Sequence, residues 1–176
     1  MAHTILIKGG RVIDPASGTL DGVANKPMDS AAFRYLSAAE VVQQAVEEYG
    51  YDSGQARDRI TVNVREDFTF RGDETAYLFV LFNLIKNALF YAPAYPRLRV
   101  TLTVGEQQVT VRDTGPGIAP DVRKHLFEVF RTAGKSGGTG LGLAYCQRVM
   151  QGFGGEIRCD SVPGEFTAFS MRFPAI

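Results

Sequence analysis

Two asparagines stand inside a long apolar segment with the sequence FNLIKNALFYA, which runs from Phe82 to Ala92. Asn83 and Asn87 are four residues apart and share one face of a predicted helix, with Lys86 beside them and Tyr91 one turn further on. A buried amide costs free energy unless it is paired, and Mg²⁺ accepts an amide oxygen together with phosphates and water. The pattern therefore allows a magnesium and phosphate site. It equally allows amides that cap or bridge backbone groups at a sheet edge.

A second motif, RDTGPGI, extends from Arg112 to Ile118. A strand is expected to deliver Asp113 into this loop, where Gly115 and Gly117 let the backbone bend and approach a flat ligand closely. A carboxylate at a strand end can accept a hydrogen bond from an exocyclic amine such as that of adenine. The same residues also form tight turns, so this motif alone indicates a site without establishing it.

A third motif, RTAGKSGGTGLGLAYC, is rich in glycine and leads into a helix. Glycine amides and a helix N-terminus together form an anion site suited to phosphate oxygens, and Lys135, Ser136 and Thr139 could add donors. The segment is not a P-loop, because the spacing G-x-x-x-x-G-K-[ST] is absent. A flexible linker is the alternative, although linkers rarely lead straight into an amphipathic helix. The glycines are Gly134, Gly137, Gly138, Gly140 and Gly142.

The elements around these motifs predict an α+β fold. A capping box at Ser37 and Glu40 starts a helix that runs to about Tyr49, and Asp73 starts the helix that carries the asparagines to about Tyr91. Strand pairs are predicted at RITVNV with DFTFRG, RLRVTLTV with VTVRD, and GEIRCDS with FTAFSMRFP, and a third long helix at GLGLAYCQRVMQGF. This order predicts a two-layer sandwich, with a mixed, mainly antiparallel sheet and about three helices on one face.

The composition argues against several classes of protein. Nineteen basic and nineteen acidic residues cancel, so nothing indicates a surface for nucleic acid or a charged membrane. Two cysteines are too few for a disulfide framework or a zinc site. No apolar run reaches the length of a membrane span. We expect a cytoplasmic domain, whose parent protein could be anchored in the inner membrane.

In their order along the chain, the segments NLIKNALFYA, DTGPGI, LFEVFRT and GTGLGL resemble the N, G1, F and G2 boxes of sensor histidine kinases. That family shares the Bergerat ATP-binding fold with gyrase, Hsp90 and MutL, and the likeness covers about residues 37–174. It implies an ATP-binding catalytic domain of a two-component system, with ATP and Mg²⁺ as cofactors. The γ-phosphoryl group would go to a histidine on separate dimerisation helices. A response regulator or receiver domain would act downstream, and neither nucleic acid nor direct membrane contact is implied.

The resemblance also assigns roles to individual residues. Asn87 matches the magnesium-coordinating asparagine, and Asn83 lines the same site beside the phosphates. Asp113 matches the aspartate that binds the adenine amino group, while Gly115 and Gly117 shape the floor of the base pocket. The other residues implied in binding ATP or its phosphates are Lys86, Tyr91, Ile118, Phe130, Arg131, Lys135, Gly138, Thr139, Gly140, Leu141, Gly142 and Thr167.

A lid over the triphosphate is implied between the F and G2 boxes. Phe127 and Phe130 match the aromatic residues that anchor it at one end, and the helix from about Leu141 holds the other end. The segment from Thr132 to Gly140 contains four glycines and no large apolar side chain. We expect bound ATP·Mg to slow amide hydrogen exchange in this lid.

The chain departs from the family pattern at two points. Phe90 stands where many members have a basic residue aimed at phosphate, and Lys86 or Lys135 could compensate. The phospho-accepting histidine is missing, because His3 lies in the leading stretch and His125 lies in an amphipathic segment where a surface or packing role is expected. The chain thus resembles the catalytic half of a kinase, inactive without its acceptor domain.

Two other functions remain open at this point. An ATP hydrolase or serine kinase of the same superfamily would need a carboxylate near Asn83 to activate water. Asp73 and Glu74 lie nearly three turns before Asn83, and position 79, one turn before it, is Phe. A non-catalytic nucleotide-sensing or docking module is the second alternative, and Phe90 favours it.

The first thirty residues are predicted to be separate from the domain at residues 31–176. The stretch ILIKGGRVID predicts two short strands around Gly9 and Gly10, and a linker rich in Gly, Pro, Ser and Asp follows. This stretch is similar to the opening strands of dihydroorotase-like amidohydrolases, but no metal motif of that family follows. Residues 1–30 are therefore interpreted as an appendage, either fused naturally or introduced by cloning.

Overall fold

The computed structural model of the 176-residue chain describes residues 28–128 and 140–176, together with the backbone of residues 5–7 and 11–13. The strands are β1 (Ile5–Ile7), β2 (Arg11–Ile13), β3 (Arg34–Ser37), β4 (Ile60–Val64), β5 (Thr69–Gly72), β6 (Val100–Gly105), β7 (Gln108–Asp113), β8 (Glu156–Val162) and β9 (Phe166–Arg172). The helices are α1 (Ala38–Glu48), α2 (Gly54–Asp58), α3 (Glu74–Leu89), α4 (Pro120–Arg123) and α5 (Gly142–Gly152), with a 3₁₀ turn at Ser30–Ala32.

The main sheet has five strands in the order β4-β6-β7-β9-β8. Strands β4 and β6 are parallel, and the other neighbours are antiparallel. Side chains on β6 alternate, so that Val100, Leu102 and Val104 are fully buried on one face. Helices α1, α3 and α5 pack together over the sheet. The predicted α+β sandwich with a mixed, mainly antiparallel sheet and three main helices is confirmed.

Helix α3 is the centre of the core. Its side chains Tyr77, Val80, Leu81, Leu84 and Ile85 are all 0% exposed. Burying one aliphatic side chain of this size contributes about 1.5–3 kcal/mol relative to exposure. The few polar side chains in the second half of α3 are consequently held in a fixed position by the apolar residues around them.

The helix starts follow the predicted caps. The Ser37 hydroxyl oxygen accepts the N–H of Glu40 at 3.1 Å and starts α1, while Asp73 accepts the N–H of Ala76 at 2.9 Å and starts α3. Asp67, which is not part of α1, stabilises the start of this helix, because its carboxylate accepts a hydrogen bond from the Ser37 hydroxyl at 2.6 Å. Helix α3 ends at Leu89, slightly before the predicted end.

The predicted pairing of RITVNV with DFTFRG is wrong. β4 pairs in parallel with β6, with Ile60 opposite Val100. β5 pairs antiparallel with β3, a strand that was not predicted. The reason is burial of Phe70 on β5, whose ring lies 5.1 Å from Tyr77 and 4.5 Å from Phe173 between centroids. This aromatic cluster holds β5 away from β4.

The predicted pair of strands at the start of the chain is confirmed, with β1 and β2 antiparallel and Ile5 opposite Ile13. The loop at Gly9 and Gly10, and the linker as far as residue 27, lie outside the described residues. The division into an appendage at residues 1–30 and a domain at residues 31–176 stays a prediction.

Candidate functional site

Three buried polar side chains form a row across three adjacent strands. Asp113 on β7 lies opposite Thr167 on β9, and Thr167 lies opposite Ser161 on β8. Their exposed fractions are 7%, 6% and 9%. In the described part of the chain no other polar or charged residue is buried, when tyrosine and cysteine are counted as apolar. Because burial of polar groups is costly without partners, this row of buried polar side chains is the candidate functional site.

Ser161 connects three segments of backbone at this row. Its hydroxyl donates to the carbonyl of Phe166 at 2.7 Å and accepts the N–H of Ile118 at 2.7 Å. It also lies 3.3 Å from the hydroxyl oxygen of Thr167. The loop after β7 is thereby joined to both β8 and β9.

Ser161 was not predicted, although the sequence contains a signal for it. In the strand GEIRCDS, Ile157, Cys159 and Ser161 alternate onto one face. A serine on the apolar face of a predicted strand is a candidate for a buried hydrogen-bonded role. Thr167 was found only through family resemblance.

The loop between β7 and α4 is shaped by two glycines. The N–H of Gly115 donates to the Asp113 carboxylate at 2.9 Å, and a β-carbon at position 115 would lie 2.8 Å from the same oxygen. Gly117 has φ = 69°, and a β-carbon there would lie 2.3 Å from the carbonyl oxygen of Val162. The close approach expected at Gly117 is thus made to the protein's own β8–β9 turn.

The polar face of α3 lies against the start of α5. Asn83 donates its amide N–H to the carbonyl of Phe79 at 2.9 Å, and a β-carbon at Gly142 would lie 2.6 Å from the Asn83 amide oxygen. Asn87, one turn later, is half-buried, and Lys86 is exposed. The N and G2 motifs, far apart in sequence, therefore meet. Asn83 also bridges backbone, as the alternative interpretation allowed.

The end of α3 approaches the end of β7. Burial raises the pKa of Tyr91, and the negative charge of Asp113 raises it further, as does Tyr95. Helix α3 and strand β7 pack against each other. Phe90 packs its ring edge-on to Tyr91 with centroids 4.9 Å apart and is 43% exposed.

The G2 segment is described only from Gly140 onwards. Gly140 has φ = 69°, Leu141 forms the N-cap of α5, and Gly142 is the first residue of that helix. The remaining predicted phosphate and lid residues lie outside the described residues; they are Phe130, Arg131, Lys135, Gly138 and Thr139. The lid prediction for residues 132–140 likewise stays a prediction.

The F segment is described as far as residue 128. The Phe127 ring lies edge-on to Phe169 with centroids 6.4 Å apart, so this part of the segment is anchored to the sheet. His125 is half-exposed, and its Nδ1 lies 2.5 Å from the carboxylate of Glu128. The expected surface role of His125 agrees with this position. His3 lies outside the described residues.

Two cavities lie near the ends of the sheet. A cavity of about 320 Å³ is lined by Tyr95, Leu98 and Thr114 among others, and it borders the loop of Gly115, since Leu98 packs close to that glycine. A second, of about 280 Å³, lies at the opposite end beside the β6–β7 turn, far from Asp113 along β7. We assign chemical relevance to the residues around Asp113, because within the described residues the buried polar side chains converge there.

Over residues 28–128 and 140–176, no group of three or more His, Cys, Asp or Glu side chains could hold a metal ion. The assignment of Asn87 as a metal ligand stays a prediction. In the same ranges, none of the helices has the length and apolar character needed to cross a membrane.

Comparison with known proteins gives a consistent result. Residues 72–176 match the model of the family described as histidine kinase-, DNA gyrase B- and HSP90-like ATPases. The chain is 42% identical over 144 residues to the autoinducer 1 sensor kinase/phosphatase LuxN of Vibrio harveyi. The aligned region covers 80% of this chain and 17% of LuxN. It is 33% identical over 180 residues to the CAI-1 autoinducer sensor kinase/phosphatase CqsS of Vibrio cholerae. That alignment covers 99% of this chain and 26% of CqsS. The chain thus spans a small part of these curated relatives.

A solved structure resembles the same region. Full-length ShkA, crystallised in complex with AMPPNP, superposes with a TM-score of 0.66 at 25% sequence identity. The match covers 86% of this chain and 33% of ShkA. The sandwich described above is therefore also found within a longer protein.

Proposed function

Since this chain belongs to the family of histidine kinase-, DNA gyrase B- and HSP90-like ATPases, we propose that it is the ATP·Mg-binding catalytic domain of a two-component sensor histidine kinase. It would pass the γ-phosphoryl group of ATP to a histidine on the dimerisation and acceptor helices of a longer parent protein. A response regulator or receiver domain would act downstream.

The observation that carries this proposal is the buried carboxylate of Asp113. It lies between the Gly115 loop and Thr167, held by the N–H of Gly115. A carboxylate accepts a hydrogen bond from the amine of adenine, whereas guanine presents a carbonyl oxygen at the corresponding position. The site should therefore prefer ATP to GTP.

The triphosphate would extend from Asp113 towards α3 and α5. Asn87 would contribute an amide oxygen to Mg²⁺, with Asn83 beside it, and the first backbone N–H groups of α5 would face the phosphates. When bound, Mg²⁺ neutralises phosphate charge and favours an aligned triphosphate. ShkA, which resembles this chain over 86% of its length, was solved in complex with AMPPNP, and this supports nucleotide binding by the present chain.

Phosphoryl transfer requires little covalent participation by this domain. The bond from the γ-phosphorus to the β,γ-bridging oxygen breaks, a bond to the incoming imidazole nitrogen forms, and ADP leaves. The imidazole proton would be removed by a group on the acceptor helices. We do not assign His125 as the acceptor, because it is exposed on the segment that follows α4 and does not lie on a pair of dimerisation helices.

One observation favours a non-catalytic module as the second candidate. Phe90 is 43% exposed at the end of α3, where a basic side chain would assist phosphate binding. The hydrolase alternative has less support. The residue one turn before Asn83 is Phe79, whose carbonyl is occupied by the Asn83 amide.

Calorimetric titration separates these candidates. The domain should bind ATP more tightly with Mg²⁺ than with a chelator, and more tightly than it binds GTP. Labelled ATP should leave this chain unlabelled and should label added acceptor helices of its cognate kinase. Tight nucleotide binding without any transfer to those helices would favour the sensing module, whereas acid-labile phosphate on His125 would contradict the proposed division of labour.

A further inference from the structure

None of the roles above uses Ser161, although its hydroxyl contacts three polar groups, the carbonyl of Phe166, the N–H of Ile118 and the hydroxyl of Thr167. We infer that Ser161 is a positioning residue for the nucleobase. It orients the hydroxyl of Thr167 so that Thr167 accepts a hydrogen bond on the side facing Asp113. The inference rests on the proposed function, because it concerns the base-binding end of the same site.

The orientation follows from the number of protons that the two hydroxyls carry. A serine hydroxyl has one proton and two acceptor lone pairs. The Ser161 proton is directed to the carbonyl of Phe166 at 2.7 Å, and the N–H of Ile118 occupies one lone pair. The contact of 3.3 Å with Thr167 can then be a hydrogen bond only if Thr167 donates.

Once its proton is directed to Ser161, Thr167 has only acceptor capacity left. Thr167 stands between Ser161 and Asp113 in the row across the sheet, so these lone pairs lie on the side of the Asp113 carboxylate. Two neighbouring acceptors match a group that offers two protons. The exocyclic amine of adenine is such a group, either in direct contact or through a water molecule that it orients. The carbonyl oxygen of guanine would meet acceptors only.

Ser161 also holds the loop at Ile118, so a purely structural role has to be separated from a positioning role. Three variants achieve this. Ser161→Ala removes the hydroxyl, and Ser161→Thr keeps it. Ser170→Ala is the matched control, because it deletes a hydroxyl on β9 that contacts Thr110 on β7 at 3.1 Å, away from the Asp113–Thr167 pair.

The first measurement compares ATP with purine riboside triphosphate, which lacks the amine. Losing one oriented acceptor should weaken ATP binding by Ser161→Ala by about fivefold to tenfold, while its affinity for the analogue should stay within about twofold of wild type. Ser161→Thr and Ser170→Ala should keep the wild-type preference for ATP. An equal loss for both nucleotides in Ser161→Ala would overturn the inference and leave Ser161 with a structural role.

The second measurement needs no nucleotide. In the wild-type domain, NMR should detect a slowly exchanging hydroxyl proton on Thr167, which Ser161→Ala should make fast and Ser170→Ala should leave unchanged. A Thr167 hydroxyl proton unaffected by Ser161→Ala would overturn the inference. Failure of the wild-type domain to bind any nucleotide would instead contradict the proposed function, and the hydroxyl exchange would still decide whether Ser161 orients the Thr167 hydroxyl.

Discussion

The amide oxygen of Asn83 lies so close to the backbone of Gly142 that a β-carbon on Gly142 would be 2.6 Å away from it. The amide nitrogen of Asn83 is meanwhile held by the carbonyl of Phe79 at 2.9 Å. Helices α3 and α5 can therefore approach only because position 142 has no side chain. This contact sets the spacing between the polar face of α3 and the first turn of α5, where the triphosphate is proposed to bind.

Gly142→Ala should lower both stability and nucleotide affinity. The added methyl group meets a short side chain held by a hydrogen bond, so we expect a loss of about 1–3 kcal/mol in the free energy of unfolding. Urea denaturation measures this loss in the free energy of unfolding.

Gly152→Ala is the matched control at the other end of α5. Its β-carbon would also lie 2.6 Å from a neighbouring atom, but that atom is the sulfur of Met28, which can rotate away. We expect a change within about 0.5 kcal/mol. Equal losses in the two variants would show that the Asn83 contact does not limit the helix spacing.

Asp113→Asn should weaken ATP binding at least about tenfold while the domain stays folded, because a neutral amide is a poorer acceptor than a carboxylate. Isothermal titration calorimetry with circular dichroism on the same samples checks both points. Asp160→Asn, an exposed change on β8, which is separated from β7 by β9, should leave affinity unchanged. Equal binding of ATP and GTP by the unmodified domain would count against the adenine role of Asp113.

Asn87→Ala should remove the dependence of ATP binding on Mg²⁺, since one protein oxygen would be lost from an octahedral ion. Asn83→Ala should have a smaller effect on the magnesium dependence, because its amide already serves the backbone of α3. Titrations with ATP in excess Mg²⁺ and in chelator measure both. Wild-type affinity that is unaffected by the chelator would refute the magnesium role of Asn87.

Acid should weaken the N-terminus of α1 through Asp67. Burial alone would raise the pKa of Asp67, but hydrogen bonds from Ser37, Ala39 and Phe68 outweigh it and hold the pKa below the ordinary value. The carboxylate form therefore stabilises the fold. Its contribution is complete above the unfolded pKa of about 3.9 and is lost as pH falls through the lower folded value.

Asp67→Asn tests this pH dependence directly. The variant should be less stable than wild type at neutral pH, and the difference should shrink as the pH is lowered through the folded pKa of Asp67. Thermal unfolding followed from pH 7 to about pH 2 gives the comparison. Glu66→Gln, an exposed change at the preceding residue, is the control. A difference that is constant over the whole range would exclude titration of Asp67 as the cause.

Tyr77→Phe should stabilise the domain. Tyr77 is fully buried among aromatic rings, and within the described part of the chain its hydroxyl has no hydrogen-bond partner. Removing an unsatisfied buried hydroxyl should raise the free energy of unfolding by about 1 kcal/mol. Tyr51→Phe should do the opposite, because the Tyr51 hydroxyl donates to the carbonyl of Val46 at 2.8 Å. Loss of stability in both variants would indicate that Tyr77 has a partner.

Much of the local structure was predictable from the sequence. Ser37 and Asp73 start their helices as predicted, because an N-cap depends on residues two or three positions away. The sequence also singled out Asn83, Asn87 and Asp113, because two amides within an apolar helix and a carboxylate at a strand end are visible in the sequence itself. Their roles stay predictions.

Only the tertiary structure decided which strands pair and which residues meet. The parallel partner of β4 is β6, some forty positions along the chain, and that choice depends on the burial of Phe70 between helices and strands that are distant in sequence. The contact of Asn83 with Gly142 and the link from Ser161 to Thr167 depend likewise on packing between elements. Periodicity and capping depend on neighbouring residues, whereas strand pairing and helix spacing minimise the exposed apolar surface of the whole domain.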